Sequence, residues 1–435
     1  MILIVGAGLA GLSTAYHLKD QEYLICEKEG EVGGLCRSCV QSGFVFDYTG
    51  HLLHLRNEYS KKLIEKLLPG AFLSHARRAS VYSHELFTPY PFQANLYGLP
   101  TKVLKECLRG FIESCEERSR RRRARSPTRG RRMSFRKWVA YTLGEGIARH
   151  FMIPYNKKMW KSDLDELSCE WVEWSIPVPR LAEVMGGALG SVNSQMGYSA
   201  QFLYPARGGI EVLPRSFVPR VKNLYCNKKL IAINLKQRRA WFEDKSEVRY
   251  DVLVSTIPLP ELLNAIKDAP SSLARMGKRL RYISVLDINL GIGKEGVSDQ
   301  HWIYFPGPEF LFYRVGVYSN FAVTMAPPHQ SALYVEVSYL PGTSLNKRKA
   351  LERVYRGLNA CGLLSQKDQI VVEQVVDIPY AYVVHDAVRQ ENLPKIMSYL
   401  KRNHIFSIGR YGSWGYLSME DAIMQGKEVA EVLHG

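Results

Sequence analysis

The chain has 435 residues, of which 58 are Lys or Arg and 42 are Asp or Glu, giving a formal net charge of +16; 46% are hydrophobic and 23% charged. That balance is the one of a soluble globular protein with two or three domains and room for a large core. No run reaches the ~18 apolar residues of a membrane helix, and the opening "MILIV" lacks the basic flank and cleavage site of a signal peptide, so the expectation is a cytoplasmic chain with no membrane span.

The first predicted element is a buried strand over Met1–Val5. It is followed by Gly6-x-Gly8-x-x-Gly11, a helix through Leu12, Ala15, Tyr16 and Leu18, and a second strand "YLICE" ending on Glu27. The three glycines serve a tight turn, close approach of backbone to a pyrophosphate, and packing of helix on strand, while the helix N-terminus supplies N–H groups and positive dipole. Glu27 falls where a carboxylate accepts from a ribose hydroxyl, so strand, glycines, helix, strand and acid together predict a dinucleotide site. Cys36 and Cys39 form a lone CxxC with no second pair and no following His, so neither zinc nor c-type haem is expected and the metal content is none.

Farther along, "RSRRRRARSPTRGRR" (Arg118 to Arg132) holds much of the excess positive charge. Like charges mixed with Ser, Pro, Thr and Gly cannot bury themselves, and the run reads as a solvated, disordered loop over 117–133. With no aromatic residues interleaved, it does not favour nucleic acid as a partner, although a nucleic-acid-associated role for this loop stays among the readings.

Glu27 is followed by "KEGEVGGLCRS", and Gly33-Gly34 with Arg37-Ser38 resembles the second glycine motif of the amine-oxidase-like FAD superfamily. That resemblance implies FAD as cofactor. "YDVLVSTIPL" (Tyr250 to Leu259) then looks like a returning parallel strand, and "NHIFSIGRYGSW" with "MEDAIMQGKEVAEVL" like a last strand and helix brought back onto the flavin, adding Gly409, Met419 and Asp421 to the cofactor side, to which Gly50 of "FDYTGHLLH" also belongs. The implied fold class is α/β: a discontinuous Rossmann-like FAD-binding domain (1–75, 205–265 and 395–435), an inserted, mainly helical substrate domain (76–204) and an antiparallel β-sheet domain (266–394).

Between those segments, several stretches resemble, in order, the UDP-galactopyranose mutases, more closely the eukaryotic type. "FDYTGHLLH" is similar to the loop beside the isoalloxazine and carries His51; "PYPFQANLYGLP" is similar to the uridine cradle and carries Tyr90, Phe92 and Gln93. "RHFMIPYNKKMW" brings Phe151, Asn156 and Trp160, "HWIYFPGPEFLFYRVGVYSN" brings Trp302, Tyr304 and Arg314, and "GRYGSWGY" brings Arg410 and Tyr416; Tyr380 in "DIPYAY" is matched to a further diphosphate-contacting tyrosine. A nucleotide sugar calls for stacking rings, an amide for the pyrimidine edge and arginines for phosphate, and these are the residue types present. Arg314 lies in a strand-like apolar run where an unpaired guanidinium is costly to bury, which points to an anionic ligand as its partner.

The resemblance implies interconversion of the pyranose and furanose forms of a UDP-sugar through an adduct at N5 of reduced FAD. Catalytic roles fall to His51, Arg314 and Arg410, and NAD(P)H is the external reductant. The chain departs from the family pattern at Trp174 and Ser175, where another arginine is usual, at Thr49-Gly50 in place of a double glycine, and at Ser418 in place of an acid; Arg207 is a candidate to compensate for the missing charge. An FAD-dependent amine oxidase or protoporphyrinogen-oxidase-like enzyme, and a mutase-like enzyme acting on another nucleotide sugar, remain alternatives. A homo-oligomer is left open.

Overall fold

All four residues of Ile2–Val5 (β1) are buried, and around this strand lies a five-stranded parallel sheet. Its order is β19 (Ile405–Ser407), β13 (Val252–Ser255), β1, β2 (Tyr23–Cys26) and β9 (Leu224–Tyr225). The continuous apolar run is what burial on both faces demands. Ile2 and Ile4 face a core with Leu12, Ala15 and Ile423, from the helices Leu9–Leu18 and Met419–His434. Leu3 and Val5 face a second core with Leu262, Ile396 and Leu400. The computed structural model describes residues 1–123, 133–172, 176–197, 200–343 and 345–434.

A second, seven-stranded sheet runs in the order β18 (Ile370–Val383), β14 (Tyr282–Ile292), β17 (Ser331–Tyr339), β16 (Arg314–Val317), β15 (Trp302–Tyr304), β6 (Ala79–Ser83) and β7 (Leu86–Pro89). It is antiparallel except where β15 meets β6. Side chains alternate across such a sheet. Leu286, Ile288, Leu290, Val315, Leu333, Val335 and Val337 pack with Ala350, Val354 and Leu358 of the helix Lys347–Ala360. The other face is free to carry polar groups. β6 and β7 come from residues 79–89, at the start of the stretch expected to be mainly helical, and complete this sheet.

Smaller elements complete the strands: β3 (Ser38–Gln41) with β4 (Phe44–Asp47), β5 (Phe72–Ala76) with β8 (Gln201–Pro205), and β10 (Leu230–Asn234), β11 (Arg239–Phe242) and β12 (Glu247–Arg249). The inserted region is helical over Thr101–Arg123, Phe135–Ile147, Ile153–Trp160 and Leu181–Ala188.

The basic run is not a loop from its start. The helix Thr101–Arg123 continues through Arg118 to Arg121, with Arg120 bonded to Glu116 (3.1 Å) and Arg121 to Glu117 (2.5 Å) one turn earlier. Such i,i+4 pairs support a helix that composition alone argues against. The remainder of the expected loop, residues 124–132, and the departures at Trp174 and Ser175 lie outside the described residues. Among the described residues no helix is long and apolar enough to cross a membrane.

Candidate active site

The carboxyl edge of the parallel sheet is a cradle. Gly6 has φ +101°, and a Cβ there would meet the Thr256 hydroxyl at 2.3 Å; at Gly11 a Cβ would sit 2.0 Å from the Gly6 carbonyl oxygen. Both are needed for helix Leu9–Leu18 to lie against β1. Gly8 differs, because nothing comes closer than 3.9 Å to a Cβ built on it. The helix it begins has no side-chain cap, so the first-turn amides are left for a ligand.

Gly33 pairs with Gly8 in an isolated bridge, and both Gly33 (φ +114°) and Gly34 (φ +61°) adopt left-handed turns. Arg37 holds that turn by donating Nε–H to the Gly34 carbonyl (2.9 Å) and lies over the Tyr48 ring. Glu27 is buried at the end of β2, its carboxylate accepting from the amides of Ala7 (2.7 Å) and Glu29 (3.0 Å). The absence of crowding at Gly8, uncapped amides and a fixed carboxylate fit the pyrophosphate and ribose of a dinucleotide.

Other residues expected on the cofactor side are tied into the protein. The Gly409 amide donates to Gln425 Oε1 (2.7 Å), and its backbone (φ +76°) turns against Ala10. Met419 opens the C-terminal helix, as its sequence position predicts. Asp421 accepts from the Ser418 amide and hydroxyl and from Arg56 Nη2 (2.7 Å). Ser418, Glu420 and Asp421 thus form a capped helix start in which buried Glu420 accepts from the amides of Arg56 and Asn57. The Ser-x-x-Asp spacing was a readable signal for this cap.

The polar face of the seven-stranded sheet meets the cradle. Direct register places Asp287, Glu336, Arg314 and Tyr304 side by side on β14, β17, β16 and β15. Asn289, Tyr334, Gly316 and Trp302 form the adjacent row. Arg314 was expected to find its anion in a ligand, and the structure corrects this: Glu336 accepts from its Nε and, at 2.7 Å, from its Nη2. Burial lowers the affinity of the Arg314 guanidinium for its proton, and the Glu336 carboxylate together with Tyr382 and Tyr334 more than reverses that, so the arginine stays charged.

Arg410 lies on the short helical turn Gly409–Gly412, after β19, with its guanidinium carbon 4.6 Å from the Tyr416 ring centre and 5.7 Å from that of Tyr382. It donates to the Leu417 carbonyl (2.7 Å). Among the described residues no carboxylate lies within 4.0 Å of it. Tyr382 and Tyr416 stack at 18° and 6.1 Å, and Trp160 packs on both.

The loop after β4 carries His51 into this assembly. Thr49, at φ +69°, donates its amide to Asp287 Oδ2 (3.1 Å). Gly50 is pressed against Tyr334, whose hydroxyl would sit 2.2 Å from a Cβ. Burial, the Arg410 charge and the Arg314 charge drive His51 down to about 4, so it is a neutral imidazole. Both arginines therefore act on His51, which places the three expected catalytic residues in one neighbourhood. Its Nδ1 meets no hydrogen-bond partner among the described residues. Behind the loop, Asp47 is fully buried and pushed up to about 6 by desolvation, against bonds from Ser38, Tyr204 and Ile210.

The expected substrate residues divide into two kinds. Tyr90 and Tyr304 face each other at 4.8 Å, with Tyr155 edge-on to Tyr304. Phe92 and Phe151 stack at 5.2 Å in the core, and Trp160 is fully buried, donating to Asn156 Oδ1 (3.3 Å) while Asn156 donates to the Met152 carbonyl. These side chains are packed and bonded within the core. Gln93, also fully buried, donates Nε2–H to the Pro177 carbonyl (2.6 Å), and its Oε1 has no donor among the described residues. Arg207 is exposed.

Tyr380 is not at the site. It packs on Tyr282 (4.3 Å) and Trp414 (6.2 Å), and the tyrosine beside the arginines is Tyr382. The cause is a bulge: Ile283 pairs with Tyr382 but Val285 with Ile378, so extra residues on β18 break the alternation. Sequence reasoning also missed Asp287, Glu336, Tyr334 and buried Arg77, whose guanidinium lies 4.8 Å from the Tyr90 ring centre. For the first three a signal existed, since "LDIN" and "LYVEVS" alternate apolar and polar residues.

The profile of the flavin containing amine oxidoreductase family matches residues 9–434. A crystal structure of reduced UDP-galactopyranose mutase superposes with a TM-score of 0.92 at 27% identity, covering 100% of this chain and 93% of that one. A putative protoporphyrinogen oxidase from an Exiguobacterium species gives 0.74 at 16% identity, with coverages of 99% and 98%. Putrescine oxidase bound to putrescine gives 0.68 at 16%, with 100% and 98%. At that identity the two oxidases share the fold alone.

Proposed function

The chain belongs to the flavin containing amine oxidoreductase family, and from that premise we propose that it is an FAD-dependent isomerase of the UDP-galactopyranose mutase type, acting on a UDP-sugar. The observation that carries the reading is Arg410: a guanidinium stacked on tyrosines, with no carboxylate in reach among the described residues, beside the dinucleotide cradle. Such a cation is complementary to a diphosphate. An amine-oxidising site has no use for a second positive charge facing its substrate.

Reduced flavin, when bound, supplies the nucleophile toward the anomeric carbon. The chain's own groups bind and orient. Arg410 and Arg314 stabilise negative charge on the diphosphate as its bond to the sugar breaks, a preorganised electrostatic contribution of about 3 kcal/mol per donor. Tyr90 and Tyr304, packed against each other at 4.8 Å, offer ring surface on which uracil can stack. His51, neutral across the physiological range, offers a ring nitrogen to the flavin or sugar without adding charge. Gly6, Gly8, Gly11, Glu27, Gly33, Gly34 and the Arg37–Ser38 turn hold the FAD. NAD(P)H is the external reductant, used once to activate the enzyme.

The test is product analysis with chemically reduced protein and UDP-galactofuranose. Conversion to UDP-galactopyranose under reducing conditions alone is expected; no conversion, with oxygen consumed on an amine, would sink the proposal. In parallel, Arg410→Ala is expected to keep its flavin and lose UDP affinity. Equal loss of both would move Arg410 to the cofactor site.

A further inference from the structure

We propose that Asp287 and Glu336 hold a single proton between them and serve as positioning residues, keeping Arg314 available to an anionic ligand and the His51 loop in place until that proton is lost. The inference deepens the functional reading above, since the anion in question is the diphosphate of that same site.

Asp287 and Glu336 are direct partners on neighbouring antiparallel strands, with exposures of 0% and 1%. Directly opposed side chains on such a ladder stand about 5 Å apart at Cβ, and like charges there repel. Among the described residues the one cation bonded to the pair is Arg314, which spends Nε and Nη2 on Glu336. Asp287 Oδ2 receives the Thr49 amide, and its Oδ1 has no donor among the described residues. As a carboxylate, Asp287 would leave a buried oxygen unsatisfied and the cluster with an uncompensated negative charge. As an acid it donates Oδ1–H across the ladder to Glu336, whose carboxylate has lone pairs to spare beside Arg314.

The surrounding groups favour the acid. Burial is the largest influence raising Asp287, followed by Glu336, with Asp47 on β4 acting in the same sense and Arg314 and the Thr49 amide opposing. Tyr318, Tyr334 and Tyr382 also face the cluster, each itself held protonated by burial, and Arg410 and His51 lie beyond Arg314. When the proton leaves to solvent, two carboxylates face one guanidinium. Arg314 is then drawn further into the sheet, and the negative charge weakens any anion bound beside it.

The full-length flavoprotein is tested in two ways. Infrared spectra at pH 8 are expected to contain a protonated-carboxyl C=O band that Asp287→Asn removes; identical spectra overturn the proposal. UDP binding to wild type is expected to weaken about tenfold as the proton is lost on the alkaline side, whereas Asp287→Asn, which keeps an acceptor for Thr49 and cannot ionise, binds with a flat pH profile. A variant that follows the wild-type fall overturns the proposal. If wild type binds no UDP at any pH, the substrate reading fails while the infrared result still decides the shared proton. Should Asp287→Asn not fold, Glu336→Gln replaces it: with the opposing carboxylate gone, Asp287 ionises beside Arg314 and the band disappears. Its persistence shows a lone buried acid and no sharing.

Discussion

Glu336 grips Arg314 in a two-point fork from the adjacent strand, accepting from Nε and, at 2.7 Å, from Nη2. Glu336 is buried while a fifth of the Arg314 side chain is exposed (1% against 21%), so the pair has an inner anion and an outer cation. Removing the cation leaves a buried charge without its partner. Arg314→Ala is expected to lower unfolding free energy by about 3 kcal/mol, and adding Glu336→Gln to recover part of the loss. Urea midpoints at constant m-value check both; a double variant no more stable than the single one contradicts the account.

The cradle glycines separate stability from cofactor binding. A Cβ at Gly11 collides with the Gly6 carbonyl, so Gly11→Ala is expected to cost about 1–3 kcal/mol by overpacking and to lose flavin. A Cβ at Gly8 makes only ordinary contacts, the nearest at 3.9 Å. Gly8→Ala is therefore expected to keep a near-wild-type midpoint while losing flavin content, because the methyl occupies the approach reserved for the pyrophosphate. Flavin absorbance against protein concentration, beside a melt of the apoprotein, distinguishes the two.

Buried neutral histidines make the fold acid-sensitive. His51 is lowered to about 4, and His301 and His385 to about 3, in each case chiefly by desolvation. From pH 6.5 downward the unfolded chain takes up protons that the folded chain refuses, so their contribution to stability is present above pH 6.5 and lost as pH falls toward those values. Asp47, raised to about 6, works in the opposite sense by binding its proton in the folded state first. His301 Nδ1 accepts the Arg78 amide (3.0 Å), a role an amide oxygen can take over. Substituting His301→Asn is expected to reduce the pH slope of stability between pH 4 and 6 by about one proton. An unchanged slope in urea titrations across that range would show that His301 is charged in the fold.

Legibility followed locality. Gly6, Gly8, Gly11 and Glu27 were readable because their tasks are set within one strand–turn–helix–strand unit, whose residues meet through short-range backbone geometry. Arg410 was readable as a cation at a strand end among aromatic residues. Its neighbour Tyr382 was not, because a bulge on β18 separates Tyr380 and Tyr382 into different surroundings and no local pattern marks it. The Glu336 partner of Arg314 depends on sheet register between distant strands, although the alternation in "LYVEVS" placed Tyr334, Glu336 and Ser338 on one face. The expected loop at Arg118 failed for a related reason: net charge was weighed, and the i,i+4 pairs with Glu116 and Glu117 were not.

The two tyrosines of β18 give the sharpest test of the site's boundary. Tyr382 lies between the arginines: Arg410 is 5.7 Å from its ring centre, Arg314 opposes the rise that burial imposes on its hydroxyl, and Tyr416 stacks on it. Tyr380, half-buried, packs on Tyr282 and Trp414 away from that cage. Tyr382→Ala removes a ring that orients Arg410, a cation–π contact of about 1–2 kcal/mol in a desolvated setting, and is expected to weaken UDP binding about tenfold. Tyr380→Ala is expected to lower the melting temperature, through lost ring packing, while leaving UDP affinity within about twofold of wild type. Titration of UDP by flavin absorbance, run beside thermal melts of both variants, reads the two effects separately. If Tyr380→Ala carries the loss of affinity and Tyr382→Ala does not, the diphosphate binds on the Trp414 side of β18 and the cage around Arg410 has another purpose.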